Sequence, residues 1–242
     1  MALRSLFSIE RGLTNFEVIV VNNDEKEEWA LRCLAEKLPF RLVSSAKNVG
    51  FGGGANLGAA QATGEIIGFL NPDILWKTPI LSRIDTFFQS QKQHILGINL
   101  VGEDGESEPW SSGVAPSLWE LFKNNVLPQS FRQRISTKNQ LEWVSGGGLF
   151  LEKRFFQSLG GFDEGFFLYF EDVDLCVRAR AQEMWVSCDA EIMLRHLGGK
   201  SFSDVARQKK YFYASQIQYF TKHRPVVERR CLEIFHRIVH SI

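Results

Sequence analysis

The stretch from Gly161 to Arg178 sets five carboxylates, Asp163, Glu164, Glu171, Asp172 and Asp174, among the rings of Phe162, Phe166, Phe167, Tyr169 and Phe170. Carboxylates beside apolar rings are costly unless something pairs with them or uses them. From Asp172 onward, Val173, Cys176, Val177 and Ala181 fall at helical spacing. Asp172 thus stands near a helix N-terminus, where the helix dipole favours an ionised carboxylate. An ionised carboxylate held by a packed aromatic loop is what a general base needs. The plain alternative for such an Asp is a helix cap.

A second candidate is the Gly-rich run from Asn48 to Asn56. Gly50-x-Gly52-x-x-Ala55, with Asp73 further on, matches a relaxed dinucleotide-binding fingerprint. The run is long for the tight turn that motif needs, and it follows a second strand rather than opening the fold. A different nucleotide site, or a helix start made of small residues that packs closely on a sheet, explains it equally.

These residues need elements to position them. Ala2–Glu10 reads as the end of an amphipathic helix and Phe16–Val21 as an apolar strand that stops at Asn22-Asn23-Asp24. A helix over 25–38 ends at Pro39, Phe40–Ser44 is a second strand, and a small-residue helix runs to about Ala62. Glu65–Leu70 is a third strand, closed by Asn71-Pro72-Asp73. This alternation predicts a right-handed parallel α/β sheet. Ligands in such sheets collect at the carboxyl ends of strands, where Asn22, Asn48 and Asp73 lie. A helix over 79–90, a strand over 94–101, a surface loop over 102–117 and a partly helical 118–139 follow. The remainder reads as Leu141–Val144 leading into Ser145–Gly148, a strand over 149–151 and a helix over 153–159. Strand-like 184–188 and 192–195 lead to His196, then come helical segments over 204–223 and 226–242.

The composition is that of an ordinary globular chain of 242 residues with zero formal net charge, which gives no electrostatic case for nucleic acid. Cys33, Cys176, Cys188 and Cys231 are widely spaced with no CxxC pair, which speaks against a zinc site or a disulfide framework and fits a reducing cytoplasm. No signal peptide and no apolar run of spanning length is seen. The segment 226–242 places Leu232, Ile234, Phe235, Ile238 and Val239 beside Arg229, Arg230 and Arg237. It reads either as a peripheral contact with the inner face of a membrane or as a helix packed on the domain or on a second subunit.

Three blocks in order, residues 18–24, 48–73 and 146–182, followed by His196 to Ser201, resemble the inverting family-two glycosyltransferases, above all their rhamnosyltransferase-like branch. The resemblance implies a GT-A-like three-layer α/β sandwich over 1–204 with a mostly parallel central sheet, lacking the usual first strand, and a helical extension over 205–242. It implies an enzyme of polysaccharide biosynthesis, a metal-dependent hexosyltransferase moving sugar from a nucleotide-diphosphate donor (dTDP-rhamnose or a UDP-sugar) to a saccharide or lipid-linked acceptor. The general base would be Asp172. Nucleotide-sugar contacts would come from Asn22, Asn48, Gly50, Phe51, Asn56, Asn71 and Asp73. The donor-sugar and acceptor loop would be Trp143, Gly146, Gly147 and Glu171. A divalent Mn²⁺ or Mg²⁺ would be held by Asp73 and His196. The resemblance departs at Asn22, where that family usually has an Asp. A sugar-nucleotide-binding relative acting as a scaffold or partner subunit is the second reading, and a nucleotide-binding oxidoreductase resting on the Gly-rich run alone is the third.

Overall fold

The computed structural model describes residues 1–13, 15–24, 27–126, 141–197 and 205–240. In chain order the helices are α1 (Ala2–Ile9), α2 (Glu28–Ala35), α3 (Gly50–Gln61), α4 (Leu81–Ser90), α5 (Leu118–Val126), α6 (Lys153–Ser158), α7 (Glu171–Ala181), α8 (Val205–His223) and α9 (Val226–His240). The strands are β1 (Ile19–Asn22), β2 (Arg41–Ser44), β3 (Ile66–Leu70), β4 (Ile74–Leu75), β5 (His94–Val101), β6 (Ser112–Gly113), β7 (Trp143–Val144), β8 (Gly148–Glu152) and β9 (Trp185–His196).

The alternating strands and helices form an α/β sandwich, but the sheet is divided. β1 and β2 pair in parallel with each other alone. Five strands in the order β3-β8-β5-β9-β4 form the main sheet. Within it β5 and β9 are parallel, while β3–β8, β5–β8 and β4–β9 are antiparallel. The run of strands over 16–73 therefore does not make one continuous parallel sheet. β8 enters from the Ser145–Gly148 turn beside the end of β3, so Leu70 meets Gly148 and the two run in opposite senses. The two strand-like pieces near 184–195 are a single β9, with a register shift opposite Ile98 and Asn99.

The main sheet buries a core on each side. One side gathers Ile67, Phe69, Ile95, Leu149 and Leu151 under α6 and α7, through Phe156, Leu175 and Cys176. The other gathers Leu96, Ile98, Leu100 and Phe150 under α1 and α4, through Leu6, Ile84 and Phe88. A third cluster joins Phe166, Phe170 and Val173 to Tyr219, Phe220 and Leu232, so the C-terminal helices share apolar contacts with the aromatic loop.

The Gly-rich run is helix rather than loop. α3 begins at Gly50, inside the run. Its missing Cβ atoms are what let it sit close. A Cβ on Gly58 would lie 2.9 Å from Val21 Cγ2, and one on Gly52 would lie 3.0 Å from Phe162 Cβ. The expected helix over 118–139 is present as α5, and the rest of that stretch lies outside the described residues, as do residues 198–201 of the late histidine block. All four cysteines are free. Among the described residues no helix is long and apolar enough to cross a membrane.

Candidate active site

The start of α7 is presented by a strained turn. Tyr169 and Phe170 both have left-handed backbone, with φ of 69° and 67°. Such residues cost on the order of 1–3 kcal/mol each and persist only when their surroundings hold them. Here α8 does the holding. Ser215 Oγ donates to the Leu168 carbonyl at 2.8 Å, Gln208 Nε2 to Tyr169 Oη at 2.6 Å, and the Phe170 ring lies 5.5 Å from that of Tyr219.

This turn places Glu171 and Asp172 side by side in a largely apolar wall. Asp172 accepts two backbone N–H bonds, from Gly146 at 2.9 Å on Oδ2 and from Val173 at 2.8 Å on Oδ1. Burial pushes its carboxyl up and these N–H donors pull it back, leaving it above the ordinary aspartate value. Glu171 is pushed well above its ordinary value, by burial first and by the Asp172 charge second. Its Oε2 makes no hydrogen bond among the described residues. Of the two, Asp172 has the donors that suit a carboxylate and Glu171 is the one to hold a proton.

The Ser145–Gly148 turn connects this carboxylate to the end of β3. Gly146 donates to Asp172, and Asn71 N–H donates to the Gly147 carbonyl at 3.1 Å. A Cβ on Gly146 would lie 2.9 Å from the Phe51 ring and 3.4 Å from Asp172 Cβ; one on Gly147 would lie 2.9 Å from Asn71 Nδ2. Glycine is required here because side chains close in from both directions. Phe51, Asn71, Gly146, Gly147, Glu171 and Asp172 thus gather around one turn.

Asp73 lies two residues past Asn71, and Leu197 N–H donates to its carbonyl at 3.0 Å. Its Oδ1 is 3.1 Å from His196 Nε2. The other ring nitrogen, Nδ1, stands 2.9 Å from both oxygens of Glu108. A carboxylate can only accept, so Nδ1 carries a proton and Nε2 is turned to Asp73. An imidazole lone pair and a carboxylate oxygen this close call for positive charge, either a proton on Nε2 or a cation shared by both. An Asp oxygen beside a His nitrogen suits a divalent ion such as Mn²⁺ or Mg²⁺. Among the described residues no group of three or more His, Cys, Asp or Glu is placed to hold a metal ion by itself. Diphosphate oxygens and water would have to complete the shell.

Glu108 has no sequence signal beyond being an acid in a loop after a strand's carboxyl end. That loop, expected to be plain surface, folds back on β5 through the bond from Glu108 N–H to the Leu100 carbonyl at 2.8 Å. Asn23 likewise carries no sequence signal beyond its place in a turn. It ties β1 to α3 by donating to the Gly50 carbonyl at 2.7 Å and accepting from Val49 N–H at 3.0 Å.

The other expected site residues hold bonds within the fold. The Asn22 amide donates to Glu28 at 2.8 Å and its oxygen accepts from Asp24 N–H. Asn56 clamps the aromatic loop, donating to the Phe162 carbonyl and accepting from Phe162 N–H, both at 2.9 Å. Asn48 shapes the turn into α3 by accepting from Gly50 N–H. Gly50 has φ of 79° and lies against the Phe167 carbonyl, a site no Cβ could share. Trp143 spends its indole N–H on the Val114 carbonyl.

Asp174, one turn into α7, supports the site from behind. It is fully buried and bonds Arg178 at 2.7 Å, His223 at 2.7 Å and Lys222 at 3.1 Å. Burial alone would raise its carboxyl, but the His223 bond and the Arg178 and Lys222 cations outweigh it and hold the group at about 2. The Cys176 thiol beside it is pushed up to about 12 by burial, so it is not a nucleophile.

The model of the family described as "Glycosyl transferase family 2" matches residues 2–160. The chain belongs to that family. The match ends before α7. The rhamnosyltransferase WbbL of Escherichia coli is 24% identical over 92% of this chain and 89% of its own length. The O-antigen biosynthesis protein RfbC of Myxococcus xanthus is 30% identical over 75% of the chain, which spans 15% of that protein. The hexosyltransferase Agl10 of Haloferax volcanii is 23% identical over 75% of the chain, which spans 58% of it. Among solved structures, the mannosyltransferase PcManGT of Pyrobaculum calidifontis, in complex with GDP-Man and Mn²⁺, superposes with a TM-score of 0.63 at 16% identity, covering 97% of this family-two chain and 64% of that one. GalNAc-T7 with UDP, GalNAc and Mn²⁺ gives 0.62 at 11% identity, covering 89% and 44%. At these identities the solved structures show the fold, and it is the GT-A fold that the sequence blocks implied.

Proposed function

We propose that the chain is an inverting glycosyltransferase that moves a sugar from a nucleotide-diphosphate donor, dTDP-rhamnose or a UDP-sugar, to a saccharide or lipid-linked acceptor in cell-surface polysaccharide synthesis. One observation carries the reading: a single Gly turn touches Asp172 through Gly146 and the Asn71–Asp73 strand end through Gly147. In the reaction, Asp172 accepts the proton of an acceptor hydroxyl. That oxygen forms a bond to the anomeric carbon from the face opposite the diphosphate. The bond from anomeric carbon to diphosphate oxygen breaks, and its electron pair leaves with the nucleotide. The raised carboxyl of Asp172 makes it the stronger base for this step. Gly146 and Gly147 let Phe51 and Asn71 close on the turn that carries Asp172, and a protonated Glu171 keeps a second negative charge away from Asp172. Asp73 and His196 would hold the divalent ion, with Glu108 fixing the imidazole ring; when bound, such an ion neutralises charge on the leaving diphosphate. The relatives named for O-antigen synthesis and for rhamnosyl and hexosyl transfer support this class of reaction. The test is sugar transfer or donor hydrolysis with Mn²⁺ across a panel of dTDP-, UDP- and GDP-sugars. Turnover by the parent chain that is lost in Asp172→Asn supports the reading, and equal turnover in the two overturns it.

A second reading, a sugar-nucleotide-binding relative that works as a scaffold, has one observation in its favour. The β1–β2 pair, which carries Asn22, is cut off from the main sheet, and the Asn22 amide bonds Glu28. Calorimetry with UDP, dTDP and GDP separates the two. Binding without turnover in the parent chain favours the scaffold.

A further inference from the structure

Helix α9 carries apolar residues on two sides. The inner side packs on α8. Leu232 is buried with Tyr219 and Phe220, and His236 Nε2 bonds Gln216 Oε1 at 2.9 Å with its ring 4.8 Å from that of Tyr213. The outer side repeats Val227, Cys231 and Ile234 at i, i+4 and i+7, flanked by Val226 and Phe235. Val227 is 71% exposed, and Ile234 and Phe235 are 57% exposed. Nothing in the packing of α9 on α8 requires this second stripe.

The charges on α9 are sorted as well. Glu228 bonds Arg224 at 3.0 Å and Glu233 pairs with Arg229 at 3.5 Å, both toward the flanks. Outward the helix shows Arg230, while its acids Glu228 and Glu233 lie at the flanks in pairs with Arg224 and Arg229. The same Glu228 accepts Leu118 N–H at 3.0 Å, which fixes the first turn of α5 beside α9. There Trp119, 59% exposed, stacks on the exposed Phe122 with ring centroids 5.9 Å apart.

We propose that the outer face of α9, with Trp119 and Phe122 of α5, is a docking surface for an anionic lipid bilayer. α9 lies in the plane of the interface, its apolar stripe in the headgroup zone and Arg230 on lipid phosphate. A second copy of the chain is a poorer occupant. Stripe against stripe would bring Arg230 of one copy toward that of the other, while Glu228 and Glu233 are already paired at the flanks. The surface uses none of the residues assigned to sugar transfer, so the two readings fail separately.

The test is co-sedimentation of the full chain with phosphatidylcholine vesicles, with and without phosphatidylglycerol. The parent chain should pellet with phosphatidylglycerol vesicles and much less with phosphatidylcholine alone. Val227→Glu with Ile234→Glu should stay in the supernatant at an unchanged melting temperature. Arg230→Glu should weaken binding about fivefold, on phosphatidylglycerol vesicles only. Two results overturn the proposal. One is a parent chain that stays in the supernatant with both vesicle types. The other is a dimer in light scattering that the Val227/Ile234 variant breaks while vesicle binding is absent.

Discussion

β1 and β8 are short strands of similar apolar character, and they have opposite fates. Every residue of β8 is buried. β1, Ile-Val-Val-Asn, buries only its asparagine. The difference lies in their neighbours. β8 has β3 on one side and β5 on the other, with helices over both faces. β1 has β2 alone, and α2, which connects the two, buries no residue and leaves Trp29 in solvent. The main sheet, with α7 behind it, holds the carboxylates in fixed geometry. The small β1–β2 lobe is tied on through Asn23, through Val21 against Gly58, and through Glu17, which accepts from Thr63 and Gly64 N–H. The main sheet holds the groups proposed for the chemistry, and Asn22, proposed for nucleotide contact, stands on the loosely anchored β1. The proposal thus divides reaction and donor capture between the two.

The comparison can be broken first at Asp172. Asp172→Asn should cut turnover by about 10³-fold while leaving nucleotide affinity near the parent value, measured by steady-state kinetics and calorimetry. A loss of nucleotide binding in that variant would mean that the two halves are not divided in this way. The parent enzyme should also lose activity as pH falls through the raised Asp172 value, so the acid limb lies above the ordinary aspartate range.

Next is Asp174→Asn, which strands Arg178, Lys222 and His223 around a neutral group. Breaking a buried pair this way costs about 3–5 kcal/mol, read in urea melts. The sign with pH follows from a folded-state carboxyl held at about 2, below its unfolded value of 3.8. The stability it contributes is complete above the unfolded value and is lost as pH falls from there through 2. Parent and variant should therefore converge in acid.

Glu108→Gln removes the partner that orients His196. Mn²⁺ affinity, followed by paramagnetic resonance without donor, should weaken about 10–100-fold, and Asp73→Ala should weaken it further. Equal affinity in parent and Glu108→Gln would remove Glu108 from the site.

The smallest effect sharpens the contrast between lobes. Gly58→Ala places a Cβ 2.9 Å from Val21 and should cost about 1–3 kcal/mol of overpacking, felt in the β1–β2 lobe. Amide exchange should show β1 and β2 opening in the parent protein well before β5 and β8. Equal protection in both lobes would show that β1 gains nothing from further neighbours.

The sequence by itself determined the kinds of element and most of their order. Helical spacing after Asp172 gave α7 within a residue, and the apolar runs gave β3 and β5 closely, because periodicity and turn residues act locally. The agreement of three blocks in identity and spacing also sufficed for the family. Only the tertiary structure decided who meets whom. It turned the Gly-rich run into a helix packed on Val21 and Phe162, spent the Asn22 amide on Glu28 and both polar ends of the Asn56 side chain on Phe162, and brought Glu108 from a polar loop onto His196. These contacts join residues far apart in the chain, and a single hydrogen bond between them leaves no period, composition or spacing in the sequence. The same holds for the break between β1 and β3. Strand sequence fixes which residues can pair, and the neighbours that the fold supplies fix which edges do.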